Sequence, residues 1–327
     1  MTLLKGAVKG GFAKLGFDIR RSTPPPQVVK HSPEKIKLFE FVHTTLQAIE
    51  DSLNETSTRA DVFSQLRSVG LGNFGLSLLS LPNPDFPKIS ALLPRMASEE
   101  IQINWTGCAG TELYKQTLGF VRSISENYAA ITRRSLKDAQ ILDYGCGYGR
   151  ITRLMYYFTS EENIYGVDPW DRSVGICHAD GLTKNILLSD RLPSTLPVPD
   201  SPFDLIFAFS VFTHLSENGT LTCLNTIAKY IKPDGLVVIT IRPVEYWDID
   251  RYANELSLVE QQKSIHRRDG FSFLPHHDSA VVDGEKTYGD TSLTLDWLQR
   301  SLTSLKIVGM DASPSDPYQI YVFLQKA

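Results

Sequence analysis

The chain has 327 residues, of which 42% are hydrophobic and 21% charged, so it is long enough to bury a sizeable core. Its formal net charge of -4 gives no general attraction for a phosphate backbone, and nucleic acid is therefore not favoured as a partner. The four cysteines show neither a Cys-x-x-Cys pair nor a disulfide-framework spacing, and the opening residues lack the features of a signal peptide, which together favour a cytoplasmic location.

Residues 1–37 hold an excess of positive charge, with eight Lys or Arg residues against Asp18 and Glu34. Apolar residues fall near one helical face in this segment, at Leu4, Val8, Phe12 and Leu15. Two interpretations remain open: weak contact with an anionic membrane surface, and, as the more ordinary case, a docking helix with solvated lysines.

The segment up to about residue 110 predicts a helical cap rather than an independent domain. Ser32 has the chemistry of a helix cap, and an apolar stripe follows it at Ile36, Phe39, Val42, Leu46, Ile49 and Leu53. A second helix is predicted over Ala60–Ser68. The stretch Gly70–Pro94 is rich in Gly and Pro and is predicted to be irregular, apart from a turn of helix near Ile89–Leu93.

An aromatic residue, Trp105, precedes the small residues of 106–110, and helical spacing follows from Leu113 to Ile131. An aromatic at a helix N-terminus can act as a lid over a ligand, where backbone N–H groups meet a carboxylate. Ordinary packing of the tryptophan is the alternative.

The stretch 138–150 predicts a strand, a tight turn and a helix. Ile141 and Leu142 suit a buried strand, and helical spacing runs from Ile151 to Phe158. Between them, three glycines at 145, 147 and 149 permit a sharp turn and a close approach to a ligand. A dinucleotide-binding turn needs a further glycine where Arg150 stands, so that class is not favoured.

Further strand signals follow in alternation with helices, which predicts a parallel sheet. A second strand, 163–168, ends in Asp168, and a third, 185–188, is followed by Asp190. The fourth, 203–209, is a continuous apolar run of the kind that a sheet buries on both faces. A fifth follows Lys232-Pro-Asp-Gly235, and the segments 305–309 and 318–324 predict a terminal antiparallel pair.

These motifs resemble the class I S-adenosylmethionine-dependent methyltransferases of small-molecule type. The resemblance is carried by Leu142-Asp-Tyr-Gly-Cys-Gly-Tyr-Gly149, by Phe203-Asp204 with Ser210-Val-Phe-Thr-His214, and by Lys232-Pro-Asp-Gly235, in which Asp234 replaces a glycine of the family pattern. It covers about residues 138–243, and the terminal strands more loosely. It implies a Rossmann-like, doubly wound α/β sheet of seven strands with an antiparallel last strand. The predicted domains are the cap and linker (1–110) and the methyltransferase domain (111–327), with a lobe inserted after strand five (about 244–290).

The resemblance also implies S-adenosyl-L-methionine as the cofactor. Asp168 is expected to accept the ribose hydroxyls, and Asp190 either meets the adenine amino group or is an acid of a surface turn. The full predicted cofactor set is Asp143, Gly145, Cys146, Gly147, Gly149, Arg150, Asp168, Pro169, Asp190, Phe209 and Ser210.

Residues 244–290 break the alternation of strands and helices, and a lobe placed after strand five lies above the carboxyl edge of the sheet. We interpret it as the acceptor-binding lobe. The candidate acceptor-binding residues are Trp105, His276, His277 and Tyr288. A metal site built from His276, His277 and Asp278 is the less favoured alternative, because adjacent residues rarely converge on one ion, and no metal is predicted.

His214 follows the fourth strand, and an ordinary histidine pKa near ~6.5 suits a proton acceptor at neutral pH. It is the predicted catalytic base, with a structural role as the alternative. The chain lacks the Asn/Asp-Pro-Pro-Tyr/Phe element with which base-directed enzymes hold a planar amino group. We therefore expect O-methylation of a small molecule or glycan. A non-catalytic cofactor-binding partner protein remains the alternative, and the oligomeric state is left open.

Overall fold

The computed structural model describes residues 38–200, 202–277, 279, 281–282 and 284–327. The basic segment 1–37 and Asp278 lie outside the described residues, and so do the predictions made for them. Within the described part of the chain, no helix combines the length and apolar character needed to cross a bilayer.

The strands of the described residues are numbered in chain order. They are β1 (Ile141–Tyr144), β2 (Ile164–Asp168), β3 (Ile186–Leu188), β4 (Phe203–Ala208), β5 (Ile231–Ile241), β6 (Phe271–Pro275), β7 (Val281–Val282), β8 (Glu285–Lys286), β9 (Gly289–Leu293), β10 (Leu305–Ser313) and β11 (Asp316–Lys326).

The helices are numbered in the same way. They are α1 (Glu40–Ser52), α2 (Arg59–Leu66), α3 (Gly70–Leu79), α4 (Pro87–Leu92), α5 (Glu99–Thr106), α6 (Gly110–Thr132), α7 (Thr152–Met155), α8 (Asp171–Ala179), α9 (Glu217–Tyr230), α10 (Arg251–Glu255), α11 (Val259–Asp269) and α12 (Leu295–Ser301). Short 3₁₀ helices lie at Arg67–Val69, Glu161–Asn163 and Val244–Asp248.

Seven strands form the central sheet in the order β10-β11-β5-β4-β1-β2-β3. Strands β1 to β5 pair in parallel, whereas β11 is antiparallel to both β5 and β10. The order reverses between β1 and β4, and ligands of open α/β sheets bind at the carboxyl ends of the strands near such a reversal. The predicted seven-stranded Rossmann-like sheet is confirmed.

Hydrophobic side chains cover both faces of the sheet. All six residues of β4 are buried, as the apolar run predicts. On one face, Leu46 of α1, Phe74 of α3 and Phe120 of α6 share a single core with Phe207. The helices before residue 110 therefore share the hydrophobic core on this face of the sheet, although the division at residue 110 itself stays a prediction.

The prediction of irregular structure over 70–94 is wrong, because α3 occupies its first ten residues. Gly75 is required there for packing: a Cβ at this position would overlap the Tyr114 ring. The Tyr114 hydroxyl donates to Gly72 O at 2.7 Å. The glycines thus admit a tyrosine from α6 to the helix surface, and that contact, rather than intrinsic propensity, fixes the helix.

Helix α7 is shorter than its periodicity predicts. Tyr157 N donates to Leu154 O and Phe158 N to Met155 O, each three residues back, so the backbone tightens after Met155. The α-helix therefore ends there, one turn earlier than expected.

The inserted lobe contains the 3₁₀ helix Val244–Asp248, α10, α11 and the antiparallel pairs β6–β9 and β7–β8. Trp247 is fully buried within it, and its Nε1 donates to Ser292 Oγ at 2.7 Å. Strand β9 also bonds to the loop after β4, since Gly289 N donates to His214 O and Thr291 N to Thr213 O, both at 2.9 Å. The lobe is thus fixed to the carboxyl edge of the sheet.

Candidate cofactor and acceptor site

The glycine turn lies between β1 and α7 with left-handed backbone angles. The φ values are +76° at Gly145, +53° at Gly147 and +74° at Gly149. A Cβ at Gly145 would overlap Val211, and one at Gly149 would overlap Leu182. Position 147 is different, because a Cβ there would meet only Trp105 Cδ1, at 3.9 Å. Gly145 and Gly149 therefore let the turn pack closely against neighbouring side chains, whereas Gly147 leaves open space beneath Trp105.

Asp168 ends β2 and accepts hydrogen bonds from two backbone N–H groups. Gly147 N donates to Oδ2 at 2.9 Å, and Trp170 N donates to Oδ1 at 3.0 Å. Burial raises the pKa of the Asp168 carboxyl, and these two donors oppose the increase. Each oxygen keeps a further lone pair for another donor. The side chain thus joins the second strand to the glycine turn and retains the capacity to accept hydroxyl groups.

Asp143 is buried one residue before the end of β1, and the Thr152 hydroxyl donates to its Oδ2 at 2.6 Å. Burial raises the pKa of the Asp143 carboxyl to about 7, although the Thr152 hydrogen bond opposes the increase. The bond ties β1 to α7, so Asp143 supports the shape of the turn.

The Arg150 side chain forms hydrogen bonds with helix α6. Its Nη1 donates to Gln116 Oε1 at 2.6 Å and to Thr117 Oγ1 at 2.8 Å, and its guanidinium lies 5.0 Å from the centre of the Phe209 ring. Arg150 and Phe209 thus hold α6 against the glycine turn. Cys146 is also buried, and a hydrogen bond to Cys177 together with burial raises its thiol pKa well above the ordinary value. The Cys146 side chain therefore stays a neutral thiol inside the protein.

Trp105 lies in the last turn of α5, not at a helix N-terminus as its sequence context predicts. Its ring packs edge-on against Tyr148 and Trp170, with centroids 6.4 and 5.4 Å away. The Arg172 guanidinium lies 5.0 Å from its centre. The tryptophan therefore stands beside the open middle of the glycine turn, and its role as a lid stays a prediction.

Asp190 and Pro169 are both exposed. Ser189 N donates to Asp168 O at 3.0 Å, which brings the loop carrying Asp190 alongside the end of β2. The geometry is compatible with either interpretation of Asp190, as an adenine partner or as a surface acid.

Ser210 follows β4 with a φ of +59°, which a residue with a side chain adopts only at a cost. Its backbone N–H donates to Thr240 Oγ1 at 2.7 Å, and its hydroxyl accepts from Gln319 Nε2 at 3.2 Å. These bonds place the beginning of β11 next to the end of β4.

His214 lies at the same edge with both ring nitrogens paired. Nδ1 is 2.7 Å from Gly289 O and therefore donates to it, which leaves Nε2 to accept from Arg242 Nη2 at 3.2 Å. Burial and the Arg242 charge lower the pKa of His214 to about 4. The ring is neutral at pH 7, but its basic nitrogen already holds a proton donor. The assignment of His214 as the base stays a prediction, and this geometry weighs against it.

Asp290 is the centre of a buried polar cluster, in which Asp290 and Arg242 are not among the predicted site residues. Its Oδ1 accepts from Arg242 Nη1 at 2.7 Å and from the Tyr246 hydroxyl at 3.0 Å, and its Oδ2 lies 2.6 Å from His276 Nε2. Burial opposes ionisation, but His276, His214 and Arg242 outweigh it and hold the pKa of the Asp290 carboxyl well below its usual range. Arg242 directly follows β5, and its place at the carboxyl end of a parallel strand was the available signal.

Of the four predicted acceptor-binding residues, the structure brings two into this cluster. His276 bonds to Asp290, and the Tyr288 ring stacks on His214 with centroids 5.2 Å apart. His277 is exposed and accepts Lys286 Nζ through its backbone oxygen. Trp105 lies with the glycine turn instead. Among the described residues, no group of three or more His, Cys, Asp or Glu side chains is arranged to hold a metal ion.

Residues 142–239 match a family model described as a methyltransferase domain. The predicted resemblance is confirmed for this segment, which covers less than half of the chain. The match starts in β1, includes the glycine turn and ends in β5, so it covers the strands that build the site.

Two relatives align with about half of the chain. A ubiquinone biosynthesis O-methyltransferase from Azorhizobium caulinodans is 26% identical over 161 residues, which is 47% of this chain and 62% of the relative. A sterol 24-C-methyltransferase from Neurospora crassa is 25% identical over 166 residues, 49% of this chain and 42% of the relative. The chain thus covers less than two thirds of either relative.

Among solved structures, a magnesium protoporphyrin IX methyltransferase from Synechocystis with bound S-adenosylhomocysteine aligns with a TM-score of 0.44 at 11% identity. The alignment covers 70% of this chain and 94% of that one.

Proposed function

We propose that this chain is an S-adenosylmethionine-dependent methyltransferase that methylates a hydroxyl oxygen of a small molecule or glycan. The observation that carries the proposal is the joining of the glycine turn to Asp168 at the point where the strand order reverses, within the segment that matches the methyltransferase family.

The residues present fit the cofactor. Gly145 and Gly149 form a turn that side chains would block, and Gly147 leaves open space in its middle. The Asp168 oxygens have lone pairs for the ribose hydroxyls beyond the two backbone donors. When bound, S-adenosylmethionine supplies a methyl group that its sulfonium sulfur has already activated. The protein then has to align the acceptor, exclude water and remove a proton.

Two buried polar atoms support a polar acceptor. Arg242 Nε, a donor, and Gln319 Oε1, an acceptor, have no hydrogen-bond partner within the described part of the chain. The Arg242 guanidinium bonds to His214, and the Gln319 side chain bonds to Ser210. Buried groups of this kind normally have partners, and a ligand that carries hydroxyl groups can both donate and accept.

The two relatives do not select the methylated atom, since one is named an O-methyltransferase and the other a C-methyltransferase. The choice of oxygen is supported by the histidine residues at the carboxyl edge, because a hydroxyl acceptor must lose a proton during transfer and an imidazole can take it. An activated carbon nucleophile or a neutral amine has no hydroxyl proton for an imidazole to remove during the transfer.

The test uses S-adenosylmethionine labelled in its methyl group and a panel of hydroxyl-bearing acceptors that includes catechol, phenol and methyl glucoside. We expect label on an oxygen of at least one acceptor, located by mass spectrometry. Label on nitrogen or carbon would contradict the oxygen assignment. Cofactor binding by calorimetry without transfer to any acceptor class would instead favour the non-catalytic partner protein.

A further inference from the structure

The lobe contributes a histidine–carboxylate pair to the site. His276 Nε2 lies 2.6 Å from Asp290 Oδ2, and Asp290 is 5% exposed. An ionised carboxylate only accepts hydrogen bonds, so the proton of this bond is on Nε2. The neutral form of His276 therefore carries its basic lone pair on Nδ1, for which the described residues provide no partner.

His276 and His214 differ in access. The side chain of His276 is 38% exposed, whereas that of His214 is 19% exposed. The basic nitrogen of His214 is occupied by the Arg242 guanidinium, and a protonated His214 would face that positive charge directly. His276 bonds to Asp290 through Nε2, and its Nδ1 has no partner within the described part of the chain. The basic nitrogen of His276 is therefore open to a ligand hydroxyl, whereas that of His214 is not.

A single tyrosine connects His276 with the cofactor side of the site. The Tyr288 ring packs edge-on against His276, with centroids 5.6 Å apart, and stacks on His214. The Tyr288 backbone also pairs with that of Leu215, in the loop after β4. On its other side, His276 packs edge-on against Tyr252 of α10, with centroids 5.4 Å apart. The imidazole is therefore held between two aromatic rings beside the proposed cofactor space.

We propose that His276, oriented by Asp290, is the catalytic base, and that His214 is a positioning residue that fixes Arg242 and β9. This inference depends on the proposed O-methyl transfer. Nδ1 takes the proton of the acceptor hydroxyl while the oxygen forms a bond to the methyl carbon. The carbon–sulfur bond breaks and its electron pair stays on the sulfur, which becomes a neutral thioether. Asp290 stabilises the imidazolium, and the proton then passes to water.

The experiment compares single variants on the acceptor from the panel that wild type methylates best. His276→Gln retains an N–H donor for Asp290 and is designed to preserve the fold, whereas His276→Ala leaves space for added imidazole. We expect kcat to fall by about 10²–10⁴-fold in both variants, with cofactor affinity by calorimetry within a few-fold of wild type. Imidazole should restore part of the turnover of His276→Ala. His43→Ala, on the distant helix α1, is the control and should retain wild-type turnover.

His214→Gln separates the two histidines. As a positioning residue, it should raise KM or lower kcat less than His276→Gln does, and imidazole should not rescue His214→Ala. Wild-type turnover in His276→Gln, or imidazole rescue of His214→Ala alone, would overturn the assignment of the base while leaving the methyltransferase proposal intact. If wild type binds the cofactor but methylates no hydroxyl of the panel, the oxygen-transfer proposal fails, and the assignment of His276 fails with it.

Discussion

The Asp168 carboxylate holds the glycine turn through Gly147 N and the following loop through Trp170 N. A ligand hydroxyl bound to the same carboxylate would therefore be connected through it to both segments. Because the two backbone bonds already direct the oxygens, the side chain loses little conformational freedom when the cofactor binds.

Asp168→Asn should weaken cofactor binding by about 10–100-fold, because hydrogen bonds to a charged acceptor contribute about 1.5–3 kcal/mol. Isothermal calorimetry with S-adenosylhomocysteine measures the effect. Asp171→Asn is the matched control, since Asp171 is an exposed acid close to Asp168 in the chain and lies outside the predicted cofactor set. A loss in Asp171→Asn as large as that in Asp168→Asn would contradict the ribose assignment.

The lowered pKa of His214 predicts that the folded protein loses stability in acid. The pKa of His214 in the folded state is lowered to about 4, below the ordinary value for an unfolded chain. The unfolded state therefore binds more protons between those values, and the contribution of His214 to stability is lost as pH falls from ~6.5 to ~4. The loss is on the order of 3 kcal/mol.

Urea unfolding at a series of pH values, on wild type and His214→Asn, measures this contribution. The free energy of unfolding of wild type should fall more steeply with acidification than that of the variant. A difference between the two proteins that stays constant with pH would show that His214 is not the group responsible.

At the scale of the element, two positions of the glycine turn allow the cost of a strained backbone to be measured apart from the cost of steric overlap. Gly147 and Gly149 both have positive φ, but only a Cβ at 149 would overlap a neighbour, Leu182. Gly147→Ala should cost about 1–2 kcal/mol for the left-handed backbone alone, and Gly149→Ala about 1–3 kcal/mol more for overpacking.

Thermal unfolding of the two variants tests this order, with a lower Tm for Gly149→Ala. Cofactor affinity should rank the two variants the other way, with the larger loss in Gly147→Ala, because the space at Gly147 faces Trp105 and the proposed ligand. Equal Tm values for the two variants would indicate that the turn relaxes away from Leu182.

The elements that could be predicted from sequence are those that short segments determine. The apolar run of β4 and the acid at the end of β2 were sufficient to place both strands and the carboxyl edge. Helix α3 could not be predicted, because Gly75 packs against Tyr114 of a later helix. The pairing of Asp290 with Arg242 was not predicted, for the same reason: the two residues meet only after the lobe folds over the sheet.

At the scale of the whole molecule, one buried ion pair fixes the lobe to the sheet. Arg242 Nη1 bonds both to Asp290 Oδ1 and to Thr213 O, and the Arg242 guanidinium lies 3.8 Å from the centre of the Tyr246 ring. The pair thus joins the end of β5, the loop after β4 and strand β9.

Arg242→Met should lower the free energy of unfolding by about 3–5 kcal/mol, because it leaves the buried Asp290 charge without its guanidinium partner. Arg268→Met is the matched control, since Arg268 pairs with Asp269 on the exposed surface, and we expect little or no loss of stability. Urea unfolding compares the two variants. Equal losses would show that Arg242 does not anchor the lobe.

Strand β11 is synthesised after β10 but lies between β10 and β5 in the sheet. During translation, β10 therefore has no neighbour to pair with until β11 has left the ribosome. Gln319, near the beginning of β11, bonds to Ser210 at the edge where the ligand would bind. The nascent chain thus acquires its complete binding edge only after residues 316–326 emerge, and ligand supplied earlier meets an unfinished site.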